Sequence, residues 1–212
     1  MSNKLLFDIG ANIGAYSQAR WDTGEYSKII AIDANELAYQ KLSTRFEQND
    51  DVIALYAAVG EHDNQSLTFY QTRATVLSTA NPAWLNTPGH RFHGNDAARI
   101  INEYQVQQVS IDKLIRIYGM PDLIKIDVEG YEETAVKGLS QRTPELCFEW
   151  AEEMSEDCIR TLKYLHKLGY QEYAVQHEDN YIYQATDYQA IDNFDPSSLH
   201  TSDRDWGMVW VR

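Results

Sequence analysis

Short apolar runs alternate with amphipathic stretches at the start of the chain. Three runs predict buried β-strands, at residues 5–7, 28–32 and 52–59. The first leads through a glycine turn into a predicted helix. Between the other two, apolar side chains recur with the spacing of one helix face, so Glu36–Glu47 is predicted to be an amphipathic helix. This alternation is typical of parallel βαβ units.

The rest of the chain continues the alternation. Further strands are predicted at Ser66–Tyr70, Leu123–Val128, Leu146–Trp150, Tyr170–Val175, Tyr181–Tyr183 and Gly207–Val211. Further helices are predicted at Ile111–Tyr118, at Glu132–Leu139 and from Ser155 to Gly169. Ser110 and Ser155 are the predicted N-caps of the first and last of these helices. The pattern predicts an α/β fold, with the last three strands antiparallel at the edge of a mostly parallel sheet.

One long segment, residues 73–96, shows no period of apolar residues and carries Pro82, Pro88 and Gly89. A long irregular segment in a compact domain is usually functional or disordered, so a loop or lid on the substrate side is predicted here. No repeat, low-complexity stretch or change of composition divides the chain. Residues 1–212 are therefore predicted to form a single domain with one sizeable core.

Charge and cysteine usage narrow the classes of function. The chain has 18 Lys and Arg against 32 Asp and Glu, a net charge of -14 at pH 7. Such an excess repels phosphate backbones and anionic lipids, so no nucleic-acid or membrane partner is expected. Cys147 and Cys158 lie in apolar patterns and predict buried free thiols in a reducing compartment. With no apolar run of membrane-spanning length and no signal-peptide pattern, the expected location is cytoplasmic.

Carboxylates stand at or near the carboxyl ends of four of the predicted strands. The strand-end acids are Asp8, Asp33, Asp127 with Glu129, and Glu149. Ligands of open α/β sheets bind beyond these ends, and a buried carboxylate is costly unless it is paired or solvated in a cleft. The acids therefore predict a ligand site. After the second strand, Asp33 is expected to accept the hydroxyls of a ribose, with capping of the next helix as the alternative.

A glycine turn, Gly10-Ala11-Asn12-Ile13-Gly14, follows the first strand. Asn12 stands where a dinucleotide fingerprint has its middle glycine, which disfavours a pyrophosphate, and no Gly-Lys-Ser/Thr follows to make a P-loop. A nucleoside with an amino-acid tail fits better, because backbone N–H groups of the turn can meet the tail carboxylate. The turn therefore predicts S-adenosyl-L-methionine as cofactor, with S-adenosyl-L-homocysteine as its product.

Four sequence blocks resemble the FkbM family of S-adenosylmethionine-dependent methyltransferases. They are FDIGANIGAYS at 7–17, AAVGEHDN at 57–64, VSIDKL at 109–114 and DLIKIDVEGYEETAVKGL at 122–139, followed by ELCFEW at 145–150. The resemblance implies a three-layer, Rossmann-like class I methyltransferase fold with a seven-stranded sheet. It also implies methyl transfer to a hydroxyl of a small molecule or glycan. The expected cofactor-binding residues are Asp8, Gly10, Ala11, Asn12, Gly14, Asp33 and Ala58.

Asp127 and Glu129 are the predicted catalytic residues. The resemblance places them beside the sulfonium, and a carboxylate of raised pKa can accept the proton of a hydroxyl. Capping of the following helix is the alternative for Glu129, and Lys125 on the same face is expected to pair with the acids. Asp127, Glu129 and Glu149 could also hold Mg²⁺ or Ca²⁺, but nothing in their spacing requires a metal and none is predicted.

Two features depart from the family pattern. Asp33-Ala34 replaces the usual Glu-Pro, and the helices that often precede the glycine turn are absent. The second departure leaves open a homo-oligomer in which another chain supplies one wall of the substrate site. A catalytically silent binding module and a nicotinamide-dependent oxidoreductase stay open as other functions. Alternative bases are His90, His93 and His177.

Overall fold

The computed structural model describes residues 3–177, 180–199 and 206–212. Within them the strands are β1 (Lys4–Ile9), β2 (Tyr26–Asp33), β3 (Val52–Tyr56), β4 (Ala58–Val59), β5 (Ser66–Thr72), β6 (Ile100–Val109), β7 (Leu123–Ile126), β8 (Glu145–Ala151), β9 (Glu172–Gln176), β10 (Gln189–Ala190) and β11 (Trp206–Val211). The α-helices are α1 (Ala15–Asp22), α2 (Glu36–Arg45), α3 (Pro82–Asn86), α4 (Ile111–Tyr118), α5 (Glu132–Lys137) and α6 (Ser155–Lys167).

A mostly parallel sheet forms the centre of the fold, in the order β10-β9-β11-β8-β7-β1-β2-β3. Strands β3, β2, β1, β7 and β8 are parallel to one another, and β11 is antiparallel to both of its neighbours. The predicted α/β fold with an antiparallel edge strand is confirmed. The sheet of the described residues has eight strands rather than seven, because the two-residue β10 pairs antiparallel with β9.

Two details of the predicted late strands are wrong. Strand β11 is not at the edge but lies between β8 and β9, and Val209, Trp210 and Val211 are buried there. An apolar run of this kind is typical of a strand that is covered on both faces. Tyr181–Tyr183 forms no strand, because the Tyr183 N–H donates to the Asn180 carbonyl and closes a turn (3.1 Å).

Helices cover both faces of the central sheet and make three layers. One face packs on α4, α5 and α6, through residues such as Leu114, Val136 and Leu165. The opposite face packs on α1 and α2, where Leu42 is fully buried. Side chains alternate between the faces along each strand, so the hydrophobic run of β1 serves both cores. None of the helices in the described ranges is long and apolar enough to cross a membrane.

A second, smaller sheet has the order β4-β6-β5 and was only partly predicted. The predicted strand at 52–59 is divided at Ala57: β3 stays in the central sheet, and β4 pairs with β6 in the small one. Strand β6 was missed altogether. Half of its ten residues are exposed and half are Asn, Glu or Gln, so it carries little of the apolar signal by which strands are recognised.

The segment 73–96 contains the five-residue helix α3 and short 3₁₀ turns at Thr75–Leu77 and Asp96–Ala98. Asn81 caps α3 by accepting from the Ala83 N–H, and Pro82 occupies the first turn. The segment has its own small core, in which Trp84 and Leu85 are buried. It therefore forms an ordered wall over the carboxyl edge of the sheet. Movement of this wall as a lid stays a prediction.

Candidate active site

A cavity of about 510 Å³ lies at the carboxyl ends of β1, β2, β7 and β8. This volume is within the usual range for cofactor pockets. Among the predicted site residues, those that line it are Gly10, Ala11, Asn12, Asp33, Ala58, Asp127 and Glu129. Asp8 and Gly14 do not line it. Further lining comes from the segment 75–80, from Arg91 and Phe92, and from β11.

The glycines of the turn are required by the packing of the protein itself. Gly10 has φ 76°, and a Cβ there would lie 1.7 Å from the Asp127 carbonyl oxygen. Gly14 has φ 80°, and a Cβ there would lie 2.7 Å from Leu42 Cδ1 on α2. Any residue with a side chain would therefore push the turn away from β7 or α2. Close packing of the turn therefore explains why these two positions are glycines.

Most N–H groups of the turn are already used within the protein. Gly10 and Ala11 donate to the Ile32 carbonyl (2.9 and 3.0 Å), and Gly14 donates to the Ala11 carbonyl (2.8 Å). Asn12 donates to Asp33 Oδ2 (2.7 Å). The expectation that these groups meet a ligand carboxylate therefore does not fit the structure. They join β1 to β2 and fix the position of Asp33 instead.

Asp33 lies at the end of β2, is 8% exposed and points into the cavity. Its carboxylate accepts from the Asn12 and Asn35 N–H groups, both at 2.7 Å. Burial raises the pKa of Asp33 to about 6, although these two hydrogen bonds favour the ionised form. The capping alternative is wrong, because Asn35 is the N-cap of α2 and accepts from Leu37 and Ala38. Asp33 thus presents a partly desolvated carboxylate to a ligand.

At the wall of the cavity, the Lys125 ammonium joins the ends of β1 and β7. Its Nζ lies 3.3 Å from Asp8 Oδ1, 3.2 Å from Asp127 Oδ2 and 3.1 Å from the Gly10 carbonyl oxygen. The other Asp8 oxygen accepts from Ser17 Oγ (2.6 Å). Burial opposes the charged amine, but the two carboxylates outweigh it and raise the pKa of Lys125. Asp8 is therefore a buried counter-ion that supports the site through Lys125.

Three carboxyl groups converge on the other side of the cavity. Asp127, Glu129 and Glu149 each place an oxygen within 4.8 Å of the others. Burial, and then repulsion by the neighbouring acids, raises the pKa of both Glu129 and Glu149 well above their ordinary value. We call these three residues the acid cluster. It is also the group of side chains that could hold a hard cation, since carboxylate oxygens are its preferred ligands.

Glu132 stands behind the acid cluster and was missed as a site residue. Its carboxylate accepts from the Val128 and Gly130 N–H groups (2.8 and 3.3 Å). Burial raises its pKa to about 7, because desolvation outweighs these bonds. The only sequence signal was its position shortly after Glu129. Glu132, rather than Glu129, accepts the hydrogen bonds of the backbone N–H groups at this turn. A capping role for Glu129 is therefore not required.

The alternative bases do not reach the cavity walls. His90 Nδ1 lies 3.2 Å from the Trp84 carbonyl oxygen and His93 Nδ1 lies 3.0 Å from the Asn86 carbonyl oxygen. His177 is not among the lining residues either. Arg91 does line the cavity, where it pairs with Glu153 (3.1 Å) and lies over the ring of Phe92. Among the predicted bases, the carboxyl groups are therefore the ones that line the cavity.

The residues present fit a nucleoside that carries a charged tail. Asp33 offers carboxylate oxygens beside an apolar slot, which is lined by Ala34, Ala58, Val59, Phe69 and Leu77. Asn12 also lines the cavity, and its Oδ1 atom is buried and accepts no hydrogen bond from the described residues. An acceptor of this kind can be satisfied by an ammonium or hydroxyl of a ligand.

Comparison with known proteins agrees with this geometry. The sequence model described as the methyltransferase FkbM domain matches residues 8–172. Comparison with curated proteins gives no match. Among solved structures, the chain is similar to the methyltransferase FkbM from Methylobacillus flagellatus KT, with 18% identity and a TM-score of 0.58 over 100% of this chain. The chain spans 44% of the length of that protein.

A second solved structure shares the fold at greater distance. It is the Aeropyrum pernix fibrillarin in complex with natively bound S-adenosyl-L-methionine, with 11% identity and a TM-score of 0.52. The match covers 100% of this chain and 66% of the fibrillarin chain. At such low identity both similarities concern the fold alone.

Proposed function

Because this chain belongs to the methyltransferase FkbM family, we propose that it transfers a methyl group from S-adenosyl-L-methionine to a hydroxyl of a small molecule or glycan. The observation that carries the proposal is that one cavity joins Asp33 to the acid cluster. Asp33 suits a ribose and the acid cluster suits a reacting centre that carries positive charge and releases a proton.

The cofactor half of the proposal rests on β1, β2 and the turn between β1 and α1. Asp33 would accept the ribose hydroxyls, the apolar slot around Ala58 would take the base, and Asn12 Oδ1 would accept from the ammonium of the tail. When bound, the cofactor supplies an electrophilic methyl group. Lys125 pairs with Asp127 (3.2 Å) and holds its carboxyl group in place just beyond the end of β7.

The acceptor half rests on the acid cluster. Glu129 or Glu149 would take the hydroxyl proton while the acceptor oxygen forms its bond to the methyl carbon, and the bond from that carbon to sulfur breaks. A raised pKa suits this task, since a base works best when its pKa is near the working pH. General-base help of this kind contributes roughly 10²–10⁴-fold. Asp127, already paired with Lys125, would mainly position the acceptor.

The proposal is tested by binding followed by turnover. Calorimetry should show saturable, one-to-one binding of S-adenosylmethionine that S-adenosylhomocysteine displaces, whereas NADH should not bind. A screen of sugars and hydroxylated metabolites with methyl-labelled cofactor should then give label transfer. In Asp127→Asn and Glu129→Gln we expect saturable cofactor binding, weaker by at most about tenfold, and a fall in label transfer. Binding of NADH alone would replace the proposal with an oxidoreductase, and cofactor binding without transfer to any acceptor would favour a silent module.

A further inference from the structure

Two consecutive residues at the end of β7 adopt the left-handed conformation. Glu129 has φ 56° and Gly130 has φ 84°. For glycine this is ordinary, but a glutamate in this region is strained by roughly 1–3 kcal/mol and keeps the conformation only when its surroundings hold it. The strain lies at the residue that carries one of the three carboxyl groups of the acid cluster.

The Glu129-Gly130 peptide is held on both sides by side chains. On one side, Glu132 accepts from the Val128 and Gly130 N–H groups. On the other side, Thr79 Oγ1 donates to the Glu129 carbonyl oxygen (2.6 Å). Asn81 Nδ2 donates to the Gly130 carbonyl oxygen (2.8 Å). Both carbonyl groups of this turn are therefore bound by side chains from a distant part of the sequence.

These donors belong to residues 79–84, which we call the strap. Inside the strap, Thr79 Oγ1 also accepts from the Asn81 N–H (2.8 Å), so one hydroxyl links both donors. Trp84 closes the strap over Gly130, where a Cβ would come within 3.0 Å of the Trp84 Cβ and Cγ atoms. This close contact and the positive φ together favour glycine at position 130.

The strap is anchored at both ends. Thr79 is fully buried and pairs with Tyr70 of β5 through two backbone hydrogen bonds (2.9 and 3.1 Å). At the other end, Trp84 is 1% exposed and packs with Ala98 and Ala151. Because both of its ends are anchored, the strap is a fixed support for the Glu129-Gly130 turn.

We propose that Thr79 and Asn81 are positioning residues that hold the Glu129 carboxyl in the acid cluster, against Asp127 and Glu149. The inference rests on the proposed function, because it assigns a task to the acid cluster. Three neighbouring carboxyl groups repel one another when ionised, and a glutamate on an unrestrained turn would move away into solvent. The strap removes that freedom and keeps the negative charge concentrated beside the bound cofactor.

The test compares two ligands that differ in charge at one atom. S-adenosylmethionine carries a sulfonium cation and S-adenosylhomocysteine a neutral thioether, while the rest of each molecule is nearly the same. The ratio of their affinities therefore reports the negative charge beside the sulfur. General loosening of the protein would weaken both ligands and leave the ratio unchanged. Both dissociation constants are measured by calorimetry at pH 8, where more of the acid cluster is ionised.

Glu129→Gln sets the reference and should reduce the preference for S-adenosylmethionine by roughly threefold to tenfold. Thr79→Val, which keeps the shape but removes the donor, should reproduce most of that reduction. Asn81→Ser keeps a good N-cap for α3 and removes the bond to Gly130, so it gives a second, independent result. Thr79→Ser keeps the hydroxyl donor, so its ratio of the two affinities should equal that of the wild type.

Thr87→Val is the matched control. Thr87 Oγ1 also donates to a backbone carbonyl in the same segment (Ala83, 2.8 Å), but this bond does not touch Glu129. Its ratio should stay within about twofold of the wild type, a difference too small to mark the loss of a charge contact.

If Glu129→Gln lowers the ratio while both strap variants keep it, the positioning role is refuted and the proposed function stands. If Glu129→Gln leaves the ratio unchanged, the acid cluster does not face the sulfur and the inference also fails. If the wild type binds neither ligand, the proposed function fails as well.

Discussion

The two walls of the cavity are built in different ways. The cofactor wall, formed by the ends of β1 and β2, is held by backbone hydrogen bonds between neighbouring strands, with Asp33 fixed by two N–H groups. The acid-cluster wall, at the ends of β7 and β8, is held by side chains from distant segments, including Thr79 and Asn81. Backbone hydrogen bonds define the first wall, and in the second wall side-chain contacts from distant segments are added to them.

This difference has consequences for what each wall tolerates. Side-chain changes at the cofactor wall should weaken ligand binding only by the hydrogen bonds that they remove, because the backbone frame remains. Changes that leave a charge unpaired behind the walls should affect the fold itself, because Lys125 joins both walls through Asp8 and Asp127. Lys125 is therefore the place where the two walls can be uncoupled.

The largest effect is expected for Lys125→Met. It leaves the fully buried Asp8 carboxylate without its cation, so the free energy of unfolding should fall by about 3–5 kcal/mol, measured by urea denaturation. The double variant Asp8→Asn with Lys125→Met removes the stranded charge and should recover part of the loss. A loss below about 1 kcal/mol in the single variant would show that Lys125 does not couple the walls.

A smaller effect is expected for Asp33→Ala, which removes the proposed ribose acceptor. The free energy of S-adenosylmethionine binding should weaken by roughly 1–3 kcal/mol, the value of hydrogen bonds to a charged group. Calorimetry measures this directly, and the isosteric Asp33→Asn separates the loss of charge from the loss of shape. Wild-type affinity in Asp33→Ala would remove Asp33 from the binding site.

The smallest effect is a pH dependence of S-adenosylhomocysteine binding. Asp33 accepts best when ionised, and burial raises its pKa to about 6. Affinity should therefore rise with pH from 5 to 7, by about tenfold, and level off above that range. The neutral thioether keeps the acid cluster from dominating the profile. A flat wild-type profile, or an equal rise in Asp33→Asn, would contradict this assignment.

Much of the cofactor wall could be predicted from the sequence, because its signals are local. The glycine turn and the strand-end Asp33 stand in short motifs, and β1 and β2 are apolar runs separated by a predicted helix. The physical reason for the two glycines could not be predicted. Gly10 and Gly14 allow the turn to pack against β7 and α2. The sequence alone does not reveal this packing, because it depends on which elements become neighbours in the fold.

The acid-cluster wall could be predicted only in part. Asp127, Glu129 and Glu149 stand at strand ends, but their approach to within 4.8 Å depends on the adjacency of β7 and β8. The strap could not be predicted, since Thr79 and Asn81 lie in a segment without apolar period and act on a turn 50 and 49 residues further along the chain. Strand β6 was missed for a related reason. Its polar side chains do not show the apolar pattern of a strand, and it forms by pairing with the distant β5.

A crystal structure of the chain with S-adenosylhomocysteine tests most directly whether the two walls serve one reaction. The expected result is a ribose hydroxyl within hydrogen-bond distance of Asp33, the base in the apolar slot beside Ala58, and the sulfur atom facing Asp127, Glu129 and Glu149. A ligand bound elsewhere, or one whose sulfur points away from the acid cluster, would contradict the proposed methyl transfer at this cavity.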